Sequence, residues 1–361
     1  MSGRLPCGSF LRATAALLAL ALLGPGCASL GPKAISRDRL DYHEALSSSW
    51  KTQTLLNLVR LRYVDPPIFL EVASIVNSYS LESGVTLEGV FGSQVPNSTT
   101  LGAHGTYTDR PTITYSPVAG EKFTRSVMTP ITPVAILSLI QVGYPVDAVF
   151  RLCVKTVNGI SNQTGAFALR QPADPSFVPL LEALRRIQVS GGVGLRLEKR
   201  TSEETAILLF RKSRSTALEA DRRFVAQTLG LTEADEYSLV FGAIPARPGE
   251  IAILSRSMLE IMSEIGSGID VPEKEIEEKR VVPPPVFEGM PGPALPPLVR
   301  VRCTAERPED AYAAVRYRGQ WFWIEDRDIP SKRVFSFLML LFSLAETGGH
   351  PNLPVLTIPA G

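Results

Sequence analysis

A cluster of charged side chains near the end of the chain is the sequence feature best suited to chemistry. Carboxylates beside basic groups at a helix N-terminus can shift one another's pKa values and bind a polar or anionic ligand. The pattern predicts a hydrolase or ligand-binding site centred on Asp326 and Asp328. The candidate ligand residues are Glu325, Asp326, Asp328, Lys332 and Arg333, with Arg327 and Ser331 between them.

A structural explanation of the same cluster stays open, and we favour it. Asp328 or Ser331 can cap the helix that follows, and solvated ion pairs can satisfy the remaining charges. The chain carries no familiar catalytic motif: His43-Glu44 lacks a second histidine one helical turn later, and the Gly191 to Gly194 run leads into a strand. We therefore expect no catalytic residue, no metal and no cofactor, and we favour a protein that is not an enzyme.

Composition narrows the class of protein further. The chain has 361 residues, with 37 Lys and Arg against 36 Asp and Glu, and 45% of its residues are hydrophobic. Such a chain can bury a sizeable core, but it lacks the basic excess that nucleic-acid binding requires. We expect no nucleic-acid partner.

The N-terminus has the pattern of an export signal. Arg4 and Arg12 supply positive charge, an apolar run covers Ala13 to Leu23, and Gly24-Pro25-Gly26 interrupts the helix before Cys27. The apolar run is too short for a transmembrane helix, which needs ~20 residues. We predict a signal peptide at 1–26 and a tether at 27–36.

The residues around Cys27 resemble the lipobox of bacterial lipoproteins, in which a small residue such as Gly26 precedes an acylated cysteine. The resemblance implies that Cys27 is lipidated and becomes the mature N-terminus. Ala28, rather than Asp, implies an outer-membrane location on the periplasmic side. The partners would then be the membrane, through this lipid, and envelope proteins or further copies of the chain.

The mature chain is also similar to an uncharacterised group of predicted bacterial outer-membrane lipoproteins. The similarity is carried by Ser48 to Lys51, by Asp109 to Tyr115 and by Val315 to Ile324. It implies an envelope location and adds no catalytic residue.

Two alternating runs at 77–116 predict a long β-hairpin with one apolar face. That face contains Tyr79, Leu81, Val85, Leu87, Phe91, Leu101, Ala103, Tyr107, Ile113 and Tyr115. We expect it to lie on the helices predicted at 37–63 and 132–143. The alternative is an oligomeric outer-membrane pore or secretion component, in which several copies contribute strands to one ring.

The remaining pattern predicts an α+β fold with mixed or antiparallel sheets, packed helices and a C-terminal β-β-β-α-β module. The predicted regions are a helix plus hairpin at 37–130, an α+β domain at 131–269, a charged and proline-rich linker or strap at 270–297, and the C-terminal module at 298–361. Cys153 and Cys303 can form a disulfide or remain separate thiols, and both alternatives stay open.

Overall fold

The chain has an α+β fold, as its pattern predicts. The computed structural model describes residues 32–76, 79–92, 95–110, 112–166, 170–200, 203–211 and 214–346. Two compact units are distinguished, one ending at Thr54 and the other beginning at Leu55. The signal peptide, Cys27 and the strand predicted after residue 350 lie outside the described residues.

The first helix, α1, spans Pro32–Arg62 and begins inside the predicted tether. Proline is well tolerated in the first helical turn, where its missing N–H is not needed, and this favours the earlier start. The last residues of the predicted tether at 27–36 are therefore helical from Pro32 onwards, and their role as a tether stays a prediction. Leu55, Leu58 and Val59 are buried near the C-terminal end of α1.

Four strands follow and form two antiparallel pairs, which together we call the ribbon (residues 70–117). Its strands are β1 Leu70–Val76, β2 Tyr79–Gly92, β3 Val95–Asp109 and β4 Thr112–Pro117. β1 pairs with β4 and β2 with β3, and the register of Val76 with Thr112 continues as Tyr79 with Asp109. The hairpin predicted at 77–116 is confirmed, and it is lengthened by β1, which pairs with β4 at its base.

The predicted packing of the ribbon's apolar face is wrong where the structure describes it. Val85 is 75% exposed and Tyr115 is 57% exposed. Ala103, the cross-strand partner of Val85, is also exposed, and no described side chain of the ribbon is fully buried. Period-two alternation identifies an apolar face, but it does not say what covers that face.

The core lies around a six-stranded sheet with the order β6-β5-β10-β9-β8-β7. Only β9 and β10 run parallel to one another. The strands are β5 Val154–Val157, β6 Ile160–Ser161, β7 Val193–Arg200, β8 Glu203–Phe210, β9 Glu236–Phe241 and β10 Glu250–Ser255. The accompanying helices are α2 Gly120–Phe123 with a π-helical turn at Thr124–Met128, α3 Pro133–Gln141, α4 Val146–Cys153, α5 Phe177–Val189, α6 Thr216–Thr228 and α7 Met258–Ser267.

Local sequence determines where several of these helices begin. The Thr132 hydroxyl accepts a hydrogen bond from the Ala135 N–H at 3.2 Å, and Pro133 occupies the first turn of α3. The spacing of Ser257 and Glu260 predicts a capping box, and the structure contains it at the start of α7: each side chain accepts a bond from the other residue's backbone N–H. These contacts satisfy N–H groups that a helix terminus otherwise leaves unpaired.

The C-terminal elements are α8 Glu273–Glu277, β11 Arg302–Thr304, β12 Ala311–Tyr317, β13 Gln320–Glu325 and α9 Ile329–Glu346. The last three strands form an antiparallel sheet in the order β11-β13-β12. Phe322 and Ile324 of β13 are buried, and Leu338 and Leu341 of α9 are buried as well. The contacts place this sheet and helix in the same compact unit as the six-stranded sheet.

Candidate functional site

The predicted charged cluster lies between β13 and α9, and the structure brings most of its members together in pairs. Asp328 caps α9: its two carboxylate oxygens accept hydrogen bonds from the Ser331 N–H at 3.2 Å and the Ser331 hydroxyl at 2.8 Å. The buried Ser331 hydroxyl in turn accepts a bond from the Arg300 N–H at 2.9 Å. Asp328 and Ser331 therefore fix the start of the helix.

The other acids of the cluster also have basic partners. Glu325 pairs with Arg302 at 2.6 Å, and Asp326 pairs with Lys332 at 2.7 Å. Arg333 is exposed. Because each candidate carboxylate already has a partner, the geometry matches a helix cap with surface ion pairs and does not require a ligand.

The proline-rich residues 281–298, which we call the strap, lie against the body of the protein and are held there by side-chain amides and guanidinium groups. Arg62 donates to the carbonyl of Val282, and Arg151 donates to that of Pro296 at 2.7 Å. The Gln163 amide accepts from the Leu295 N–H at 2.6 Å and donates to the Leu295 carbonyl at 3.3 Å. Prolines offer carbonyl acceptors but no N–H donors, so the body must supply the donors.

A cavity of about 530 Å³ lies beneath the strap, and its size is typical of small-molecule sites. Polar groups of Arg151, Arg256 and Glu264 line it beside apolar groups such as Phe287 and Leu295. The Glu264 carboxylate accepts bonds from the Gly165 and Ala166 N–H groups. The Glu264 carboxylate therefore has partners within the protein, whereas the buried Nε of Arg151 has no hydrogen-bond partner in the described structure.

Arg256 is the most deeply buried charged side chain of the cavity wall, with 3% of its surface exposed. Its guanidinium donates to the carbonyls of Arg151 and Leu152 at 2.9 and 3.3 Å, and to that of Gln163 at 2.5 Å. Burial lowers its pKa from the ordinary value, while the nearby Glu264 opposes that shift. Since Arg151 and Leu152 belong to the last turn of α4, Arg256 acts as a cationic cap of that helix.

These arginines were not among the predicted site residues. Arg256 is a single Arg that follows an apolar strand. The sequence pattern there cannot distinguish an Arg that caps a helix from one that binds a ligand. The guanidinium groups of Arg62, Arg151 and Arg256 hold the chain through the carbonyls named above, but Arg62 Nη2 and Arg151 Nε are buried without a hydrogen-bond partner.

The two faces of the ribbon differ in chemistry. Glu82, Thr86, His104 and Thr106 lie on the polar face and are exposed, whereas Val85 and Ala103 lie on the opposite face. The ribbon joins the body at its base, where the Phe69 ring lies 5.4 Å from that of Phe342 and Glu71 pairs with Lys122.

Cys153 and Cys303 are both free thiols, so the disulfide alternative is wrong. Burial raises the pKa of the Cys153 thiol to about 12 and that of Cys303 to about 11. Neither thiol is activated, because nucleophilic cysteines have lowered pKa values.

Within the described ranges, no group of three or more His, Cys, Asp or Glu side chains is arranged to hold a metal ion. None of the helices described there has an apolar stretch long enough to cross a bilayer. Comparison of the chain with protein-family models, curated proteins and solved structures gave no match.

Proposed function

We propose that the protein is a lipid-anchored component of the bacterial envelope with a structural or assembly role. Cys27 carries the lipid, the outer membrane is the site of anchoring, and the folded part faces the periplasm. The resemblance of Gly26-Cys27 to a lipobox supports the anchor. The observation that carries the assembly role is the ribbon, whose apolar residues Val85 and Tyr115 remain exposed.

An uncovered ribbon is unusual for a protein that acts alone. An isolated two-stranded hairpin is only marginally stable in water, and exposed strand edges invite pairing with another chain. β2 alone has 14 residues, a length of about 45 Å at the usual rise per residue. A structure of this length and exposure supports a role in holding envelope components together.

The anchor is tested by mass spectrometry of the mature N-terminus and by fractionation of a Cys27→Ala variant. We expect an acylated Cys27 in the parent and release of the variant from the membrane fraction. An unmodified N-terminus at another residue, or a variant that stays membrane-bound, contradicts the anchor.

The assembly role is tested by removing the outer part of the ribbon. Val76 and Thr112 are paired in register, so an Asn-Gly turn between them replaces 77–111 and closes β1 onto β4. We expect this variant to keep the thermal stability of the parent and to reach the outer membrane, but to fail to complement a deletion strain. Full complementation by this variant contradicts the assembly role.

A pore is the second candidate function, favoured by the polar and apolar faces of β2 and β3. Alternation of this kind, over at least ~9–11 residues, is typical of strands that cross a bilayer. Conductance across a planar lipid bilayer separates this candidate from a scaffold. A pore predicts channels with the parent and none with the variant lacking 77–111.

A further inference from the structure

We propose that the cavity beneath the strap binds a small monocarboxylate with an apolar body, and that the guanidinium of Arg151 pairs with its carboxylate. The site belongs to the body of the protein, and the inference does not depend on the assembly role of the ribbon. The lining of the cavity comes mainly from the strap and from residues 264–271, at the end of α7 and just after it.

The size and the lining of the cavity suit a small molecule that is mostly apolar. Its volume of about 530 Å³ lies within the range of small-molecule sites. Most of the lining residues are apolar, and those outside the prolines of the strap include Ile265, Ile269, Val271, Ile276, Phe287 and Leu295. An apolar body gains free energy when it leaves water for such a lining.

Several polar side chains of the lining already have partners in the protein. The Asn162 amide nitrogen donates to backbone carbonyls, and the Gln163 amide both accepts from and donates to the strap. Arg256 donates to three carbonyls, and the negative charge of Glu264 lies near enough to oppose the lowering of the Arg256 pKa by burial. Arg256 and Glu264 therefore compensate one another within the wall.

Arg151 is less well satisfied. A guanidinium has five N–H groups, and in the described part of the chain that of Arg151 makes one hydrogen bond, from Nη2 to the Pro296 carbonyl at 2.7 Å, while Nε is buried without a partner. Burial lowers its pKa, and the carboxylate that opposes this shift, Asp147, pairs with Arg185 at 3.9 Å. The charge of Arg151 thus lacks a carboxylate of its own.

A cation in this position favours an anionic group on the ligand. A charge that is partly buried costs free energy unless it is paired, and a carboxylate matches the N–H groups of a guanidinium in geometry as well as charge. One guanidinium balances one negative charge, whereas a phosphate or a dicarboxylate would bring a second charge near Glu264. Asp270 also lines the cavity, but it is exposed, so water screens its charge.

The test compares the binding of naphthoate with that of the neutral naphthamide to the full-length protein in detergent, with detergent alone as the blank. The two probes share the same apolar rings, so the difference between them reports the carboxylate. We expect saturable binding of one naphthoate per chain, with an affinity about 10-fold above that of naphthamide or higher. No saturable binding of naphthoate, or equal affinity for the two probes, overturns the inference.

Arg151→Gln tests the residue assigned to the carboxylate, because it removes the charge but keeps an amide that can donate to the Pro296 carbonyl. We expect it to lower the affinity for naphthoate about 10-fold and to leave that for naphthamide unchanged. Arg170→Gln is the matched control. Arg170 also donates to the strap, to the Pro283 carbonyl at 3.1 Å, but it lies outside the described lining of the cavity. Equal loss of naphthoate binding in the two variants overturns the role of Arg151.

Val271→Phe tests whether the probe occupies this cavity. Val271 belongs to the lining, and the larger ring takes up part of the space, so we expect weaker binding of both probes. Val142→Phe makes the same change at a position that is 80% exposed and outside the lining, and it should bind like the parent. Parent-like binding by a folded Val271→Phe variant places the probe elsewhere and overturns the inference.

Thermal unfolding of each variant shows whether it is folded. The comparison of naphthoate with naphthamide needs no variant, so it decides the matter even where a substitution prevents folding. Because the ribbon takes no part in the site, the variant lacking 77–111 should bind naphthoate like the parent whether or not it complements a deletion strain. Loss of naphthoate binding by that folded variant contradicts a site on the body.

Discussion

The side-chain amide of Asn57 makes two hydrogen bonds with the backbone of Ile68. It donates to the Ile68 carbonyl at 2.8 Å and accepts from the Ile68 N–H at 3.0 Å. Asn57 is fully buried in α1, and Ile68 lies just before β1. This contact fixes the point at which the chain leaves the body and enters the ribbon.

Replacement of this amide should destabilise the protein. Asn57→Ala leaves the Ile68 N–H and carbonyl without their partner, and we expect the free energy of unfolding to fall by about 1–3 kcal/mol. Asn57→Leu keeps most of the side-chain volume but removes both hydrogen bonds. Urea denaturation of both variants tests the prediction, and a Leu variant as stable as the parent contradicts it.

The strap should be more sensitive to a side chain at Gly292 than at Gly289. Gly292 has φ +126°, and a Cβ there would lie 2.1 Å from the carbonyl oxygen of Ala173. Gly289 has φ +76°, but a Cβ there would meet open space. Gly289→Ala should cost about 1–2 kcal/mol for the left-handed backbone alone.

Gly292→Ala should cost clearly more than Gly289→Ala, because the strap must move away from Ala173 to accept the added carbon. Chemical denaturation measures the difference, and limited proteolysis should show faster cleavage between 281 and 297 in the Gly292 variant. Equal stability of the two variants would show that the strap is not held at this contact.

Cys153 should make the protein less stable at alkaline pH. Burial raises the pKa of its thiol from 9.0 to about 12, so the folded state keeps a proton that the unfolded state loses. This contribution to stability is fully present below the unfolded pKa and is lost as pH rises towards the folded pKa. We expect the free energy of unfolding to decrease above pH 9.0.

The Cys153→Ala variant provides the measurement, since it has no thiol at this position. Its free energy of unfolding should fall less steeply above pH 9.0, by at most about 1.4 kcal/mol per pH unit, the value for one proton. Cys303→Ala should reduce the slope as well, but only up to about pH 11, because burial raises the pKa of this half-buried thiol to about 11. Identical slopes for the parent and Cys153→Ala would contradict the prediction.

The charged cluster should matter for stability and not for function. Asp328→Ala removes the cap of α9, and we expect a loss of about 0.5–2 kcal/mol in thermal or chemical unfolding. Asp326→Ala removes only a half-exposed ion pair with Lys332 and should cost less than about 1 kcal/mol. Both variants should complement a deletion strain. Lost function at full stability would restore the ligand-site hypothesis.

Local signals in the sequence predicted the fold best. The capping box at Ser257 and Glu260 and the alternation along β2 and β3 specify short-range geometry, and the structure contains both. The capping box involves residues three apart, and the alternation involves neighbouring strands of one hairpin. Both patterns can therefore be recognised in the sequence without knowledge of tertiary contacts.

Features that depend on distant packing were not predictable in this way. In β13, Phe322 and Ile324 are the buried residues. Trp321 and Trp323 instead lie beside the guanidinium groups of Arg307 and Arg302, each 5.5 Å from a ring centroid. Both faces of this strand are apolar in sequence, so alternation alone cannot choose between them.

The candidate site shows the same division. The helix cap at Asp328 follows from local sequence, whereas the roles of Arg151 and Arg256 depend on the carbonyls of segments far away in the chain. The parallel pairing of β9 with β10 is likewise invisible in two short apolar runs.

The hydrogen bonds of Arg62 affect when the body can finish folding. This guanidinium at the end of α1 binds the carbonyls of Ile269 and Val282, which lie 207 and 220 residues later in the chain. Contacts between such distant residues close large loops and slow the folding of a chain. Because Arg62 is buried, its charge has no backbone acceptor until those late residues arrive. The part of the body around Arg62 therefore cannot reach its final packing until most of the chain has been made.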